Sequence, residues 1–318
     1  HYATHGWFGP LSEDQRPRLI DPASGFLFTA NNRLVPLQDA SPIGKVWADG
    51  GRAWRIRRDL ESKALVSELD LLAIQLDETV QRFLPYRDLL IEVLTDLPAS
   101  PGRNLVLELV RSWDGRASLE NTALPAVATF RREVIGRTQM MLLDRANPVG
   151  LDDDPRRRQA ASAIGENITL AVLERRNPRF FPTDAAWHDV VRPAAEAAIT
   201  AYLADPTTPW GEQNRGRFAH PLGMAHPLVG TRFDLPTVPQ SGHWGAIRVQ
   251  SQNAGASARM IASPSHRAAA ILTVPGGQSG DPESSHYSDR HAAWAAGAPS
   301  PLLPGPAVEV ISLTPTAP

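Results

Sequence analysis

Asp21-Pro22-Ala23-Ser24-Gly25-Phe26-Leu27-Phe28-Thr29-Ala30-Asn31-Asn32-Arg33 is the stretch whose reading decides the fold of this 318-residue chain. Asp-Pro-Ala-Ser-Gly is a strong turn signal, because proline presets one backbone angle and glycine supplies the left-handed one. The apolar run Phe26 to Ala30 that follows suits a buried strand. Asn31 and Asn32 end it, and asparagine tolerates unusual backbone angles at a strand end. An asparagine amide held there could be aimed rigidly. A donor aimed at a developing oxyanion contributes about 3 kcal/mol to catalysis.

Working outward, the chain reads as three stretches. Residues 1–59 carry the turn, the strand and the two asparagines. Residues 60–204 read as mainly helical. Ser67 followed by Asp70 resembles a capping pair, and Leu69, Leu72, Leu76, Val80, Phe83 and Leu84 then recur at helical spacing. A further helix is expected from near Pro125, a good first-turn residue. Asp152-Asp153-Asp154-Pro155 before Arg156-Arg157-Arg158 fits a helix start, with acids at the positive end of the dipole. Residues 205–318 return to strands and loops. Strands are expected at Trp244–Gln250, Ser257–Ala262, Ala268–Val274 and Ala307–Leu313, with a sharp loop at Pro275–Gly280 and a short helix at Tyr287–Ala296. A helical block between strand-bearing ends is an α+β pattern.

Composition narrows the function. The formal net charge is -2, which argues against a nucleic-acid binder. No run of about 18 apolar residues is present, so no membrane span is expected. There are no cysteines, which excludes disulfides, thiolate metal sites and a cysteine nucleophile. The chain begins at His1 without methionine, so residue 1 reads as a processing site, an expression boundary or a truncation.

Several candidate sites can be weighed residue by residue. His220, His226 and His243 could be imagined as zinc ligands, but no HExxH pair or nearby carboxylate supports them. Gly276-Gly277-Gln278-Ser279-Gly280 lacks the lysine of a phosphate loop, and its glycines fit a close backbone approach better. Ser285, His286 and Asp289 are too close in sequence to converge as a triad, and no GxSxG elbow is present.

The ordered motifs carry a family resemblance. After the Asp21–Arg33 stretch come Gly50-Gly51-Arg52-Ala53-Trp54-Arg55-Ile56 and Gln75-Leu76-Asp77. His243 to Val249, Gly255 to Met260, Pro275 to Pro282, His286 to Asp289, Trp294 and Pro301 to Pro304 complete the series. In this order, over nearly the whole chain, they resemble the C-terminal part of the β subunit of the penicillin amidase family, a branch of the N-terminal nucleophile hydrolases. The resemblance implies part of a four-layer αββα sandwich with a helical insertion. It implies a precursor that cuts itself, and a serine at the new N-terminus that attacks a linear amide with its own α-amine as base.

By position, Asn31 matches the family's oxyanion-hole asparagine. Arg52 matches an arginine that holds the asparagine and the serine's amine in place. The nucleophile itself has no counterpart here, since residue 1 is histidine. The resemblance therefore implies a fragment, inactive alone, whose partners are an α subunit, the first part of the β subunit and an N-acyl small molecule. The candidate substrates are the acyl side chain of a β-lactam, an acyl-homoserine lactone or a related amide. The chemistry needs no cofactor. A structural calcium ion is an option for the parent protein, but Ser41 stands where an aspartate ligand is expected and Asp39 is displaced from it. Periplasmic or secreted location is carried over from the family. The competing reading is a non-catalytic relative that serves as a binding module.

Overall fold

The structure is a computed structural model. It describes residues 9–40, 43–44, 46–146, 155–307 and 309–314. The chain divides after Val66 into two compact units.

The first unit contains a one-turn helix, Leu37–Ala40, and helix α1, Gly51–Glu61. The expected strand at Phe26–Ala30 does not form. Leu27 is 64% exposed, and Phe26 and Phe28 are half-buried with ring centroids 6.1 Å apart. A strand must give its N–H and C=O groups a partner. Among the described residues of this unit the only backbone bridge is a parallel one between Asn32 and Ala48, just past the run.

The second unit is built on helices α2 (Glu68–Gln75), α3 (Leu84–Asp96), α4 (Pro101–Ser112), α5 (Leu124–Arg145), α6 (Pro155–Ser162), α7 (Glu166–Arg175) and α8 (Asp184–Ala204). The Ser67–Asp70 pair is a reciprocal capping box: the Ser67 hydroxyl accepts from Asp70 N–H at 3.2 Å, and Asp70 accepts from Ser67 N–H at 3.0 Å. The apolar run from Leu69 does not continue as one helix. Val80 N–H instead donates to Gly115 O, and Ala117 N–H to Glu78 O, so a short bridge interrupts it. Helix α5 begins with Leu124 and Pro125, as the first-turn proline predicts. Asp152 to Asp154 lie outside the described residues.

Val106, Leu124, Phe130, Leu173 and Val191 form the centre of one apolar core. Ala194, Ala195 and Ala198 are fully buried in it, small side chains that let α8 approach its neighbours closely. Glu166, at the start of α7, ties this core together. It accepts from Arg131 Nε at 2.9 Å, again from Arg131 Nη2, and from Arg82. Burial, with the Glu166 carboxylate nearby, pushes the Tyr86 hydroxyl pKa up.

The remaining elements are short. Among the described residues three antiparallel two-stranded sheets form. They pair β1 (Gly216–Phe218) with β2 (Leu235–Val238), β3 (Gln250–Ser251) with β4 (Ala254–Gly255), and β5 (Arg259–Ile261) with β6 (Ile271–Thr273). Helices α9 (Pro221–Ala225) and α10 (Pro227–Phe233) lie between β1 and β2, and α11 spans His291–Ala296.

Three expectations are corrected here. Residues 244–249 form turns and bends rather than a strand, because His243 Nδ1 captures the Gly245 N–H at 2.9 Å, and only Gln250 of the expected strand is extended, as the start of β3. Its buried residues are Ala246, Arg248 and Gln250, while Trp244 is 63% exposed. Only His291–Ala296 of the expected Tyr287–Ala296 helix is helical. The described part of Ala307–Leu313 is not a strand; Val310 and Ile311 are exposed, and no strand among the described residues pairs with them.

Two buried arginines grip the end of α11. Arg248 donates to Ala295 O and pairs with Glu78 at 3.3 Å. Arg259, 3% exposed, donates to Trp294 O at 2.9 Å and lies over the Trp294 ring. The helix C-terminus carries partial negative charge, so these cations complement it. Gly297 closes the helix at φ 76°, the left-handed angle glycine adopts freely. No described helix is long and apolar enough to cross a membrane.

Candidate active site

Asn31 and Arg52, 21 positions apart, meet in the first unit. Gly25 N–H donates to Pro22 O at 2.8 Å, closing the turn before the apolar run. At its end Ala30 N–H donates to Asn32 Oδ1 at 3.0 Å, and Asn31 adopts φ 65°. A β-branched or bulky residue would be strained there, whereas asparagine accepts the left-handed region. Asn31 O in turn accepts from Ala48 N–H at 2.9 Å.

The partner comes from α1. Asp49 Oδ1 accepts from Gly51 N–H at 2.8 Å and helps start the helix, leaving Arg52 in its first turn. Arg52 Nη2 donates to Ala30 O at 3.0 Å and to Asn31 Oδ1 at 3.0 Å. The guanidinium thus fixes both the backbone before Asn31 and its side-chain amide. With Oδ1 accepting from a cation, the Nδ2 hydrogens are left to donate, and the nearby charge polarises them toward an acceptor. An amide in that orientation can hydrogen-bond a carbonyl oxygen and hold it more tightly once it becomes an oxyanion. A shallow cavity of about 330 Å³ lies beside the pair, lined by Asn32, Arg33, Trp47, Ala48 and Gly50.

The other candidates stay apart. Among the described residues no three His, Asp or Glu side chains converge as a metal site. Asp39 sits on the one-turn helix Leu37–Ala40, and Ser41 lies outside the described residues. His243 packs against Phe83 and Trp210, at centroid distances of 4.9 and 5.6 Å. Burial, with a smaller contribution from Arg131, pulls its pKa down to about 4. His286 Nδ1 pairs with Asp289 Oδ2 at 2.9 Å. Ser285 makes no hydrogen bond to either among the described residues. The glycine loop is a close backbone approach, since a Cβ on Gly277 would sit 2.0 Å from His286 O.

Sequence and structure comparisons agree on the class. Residues 2–307 match the penicillin amidase family, and the chain belongs to it. Among its relatives is penicillin acylase 2 proenzyme of Pseudomonas sp. (strain SE83), 26% identical over 315 residues. That alignment covers 94% of this chain and 39% of the relative. The acyl-homoserine lactone acylase QuiP of Pseudomonas putida is 25% identical over 323 residues, covering 92% and 39%. The chain thus spans about two fifths of the length of these curated relatives. The thermostable penicillin G acylase of Alcaligenes faecalis shares the fold at a TM-score of 0.50 and 16% identity, over 98% of this chain and 61% of that one.

Proposed function

We propose that this chain is part of an amidohydrolase that cleaves a linear N-acyl amide through a serine nucleophile carried on another segment of the protein. The observation that carries this reading is the Arg52 bridge to Ala30 O and Asn31 Oδ1, which turns the Asn31 amide into a fixed donor. The family membership supplies the reaction class.

In this reading a serine hydroxyl attacks the amide carbonyl while a free α-amine takes its proton. Charge gathers on the carbonyl oxygen, and Asn31 Nδ2–H donates to it. The proton passes to the departing amine as the C–N bond breaks. Water then attacks the acyl-serine through a second oxyanion held by the same amide. Arg52 acts as a positioning residue and touches no reacting atom. The complete enzyme would be a four-layer αββα sandwich, matured from a proenzyme and located in the periplasm or outside the cell. Its substrate is an acylated β-lactam, an acyl-homoserine lactone or a related amide. These two amine classes are supported by the names of the relatives.

The test uses the complete protein with a chromogenic phenylacetyl or fatty-acyl amide. Asn31→Ala is expected to lower kcat about 100-fold with a smaller change in KM. A variant within about tenfold of the parent would remove Asn31 from the oxyanion hole.

A further inference from the structure

A cavity of about 360 Å³ opens in the second unit where β1 and β2 meet the loop 275–280. We infer that it binds a small neutral carbonyl compound with a flat apolar body, such as an aromatic amide. None of its residues belongs to the Asn31–Arg52 pair.

The walls are planar and fixed. Phe218 and Leu235 face each other across the β1–β2 register. The far side of Phe218 is packed edge-on against His291 and Trp294, at 4.6 and 5.4 Å. Tyr287 donates its hydroxyl to Phe233 O, which locks two walls together. A site whose walls are held before the ligand arrives loses little freedom on binding. Its volume lies at the small end of the roughly 300–1,000 Å³ typical of ligand sites.

Two lining residues supply unused donors. Leu222 N–H donates to His220 Nδ1 at 3.2 Å, which places the ring proton on Nε2. Ser279 Oγ accepts from Asp281 N–H at 3.1 Å, which leaves its own hydrogen to donate. Neither donor has an acceptor among the described residues. Two donors against apolar rings select a ligand with a carbonyl acceptor.

Charge decides between a neutral carbonyl and a carboxylate. Among the described residues no lysine or arginine lines the cavity. Asp234 accepts from His220 N–H at 2.7 Å, and Asp289 Oδ1 would lie 2.5 Å from a Cβ on Gly277. An anion would therefore leave water for a site with two adjacent carboxylates and, among the described residues, no lysine or arginine in its lining, at a net cost.

Benzamide, benzoate and benzylamine would be titrated into the full 318-residue chain, with saturation-transfer NMR as the readout. Benzamide is expected to bind in the millimolar range, with benzoate and benzylamine each at least about fivefold weaker. Ser279→Ala should weaken benzamide about fivefold. Ala219→Leu, which fills the lining, should abolish binding while the chain keeps its cooperative melt. The inference is overturned if benzamide fails to bind, if benzoate binds as well as benzamide, or if a folded Ala219→Leu chain binds unchanged.

Discussion

Acidification from about pH 7 to about pH 5 should destabilise the helical unit by about 2 kcal/mol through one residue, His243. Its ring is enclosed by Phe83 and Trp210, and its Nδ1 is committed to the Gly245 N–H. Protonation must bring a charge into that apolar site and sacrifice the accepted hydrogen bond. The folded pKa is depressed to about 4 from 6.5. The folded state therefore binds fewer protons than the unfolded one. Stability is whole above 6.5 and is lost as the pH falls toward 4. At about 1.4 kcal/mol per pH unit, the complete loss is about 3 kcal/mol. His291, lowered by burial although its bond to Pro236 O opposes this, adds in the same direction. The carboxyls of Glu68 and Asp96 are held below 4.5 and 3.8, so they weaken the fold only at the acid edge of this window. Urea unfolding followed by circular dichroism at several pH values measures the slope. His243→Asn keeps an acceptor for Gly245 N–H and removes the titration. That variant should start less stable, through lost ring packing, but show a pH dependence flatter by about 2 kcal/mol. Equal slopes in the two chains, or an NMR titration of His243 near its ordinary value, would refute the reasoning.

Glu166→Gln should cost about 3 kcal/mol in the denaturant midpoint, because it leaves Arg82 and Arg131 half-buried without their shared carboxylate. The two arginines that grip the end of α11 should behave differently. Arg259→Met removes a buried cation that has no carboxylate partner among the described residues, one whose own pKa burial lowers to about 10. It should change stability by less than about 1 kcal/mol, whereas Arg248→Met strands buried Glu78 with only the half-exposed Arg116 and should cost about 3 kcal/mol. Ser67→Ala should lower stability by about 1 kcal/mol through loss of the capping box, read from the same unfolding curves.

Features set by neighbours in sequence could be read in advance. The Ser67–Asp70 cap and the proline start of α5 depend on a few adjacent residues, and both formed. So did the close approach at Gly277. Failures came where distant partners decided. Alternation from Trp244 to Gln250 imitates a half-buried strand, yet the buried members include Arg248 and Gln250. Arg248 is drawn inward by Glu78 and Ala295, neither of which is near it in sequence. Phe26 to Ala30 has the composition of a strand but no partner strand among the described residues of its unit. The meeting of Asn31 with Arg52 could not be derived from spacing; family resemblance alone brought the two residues together before the structure did.

The left-handed backbone at Asn31 limits what evolution or an engineer can place there. Glycine, asparagine and aspartate are the residues that visit this conformation routinely. In the proposed oxyanion role aspartate would set a negative charge against the forming oxyanion, and glycine has no side chain to offer. Replacing the amide with the longer glutamine would strain the main chain before it altered the chemistry. Asn31→Gly is consequently the cleanest excision: it spares the bend, leaves Arg52 its bond to Ala30 O, and removes the amide donor together with the Oδ1 that Arg52 holds.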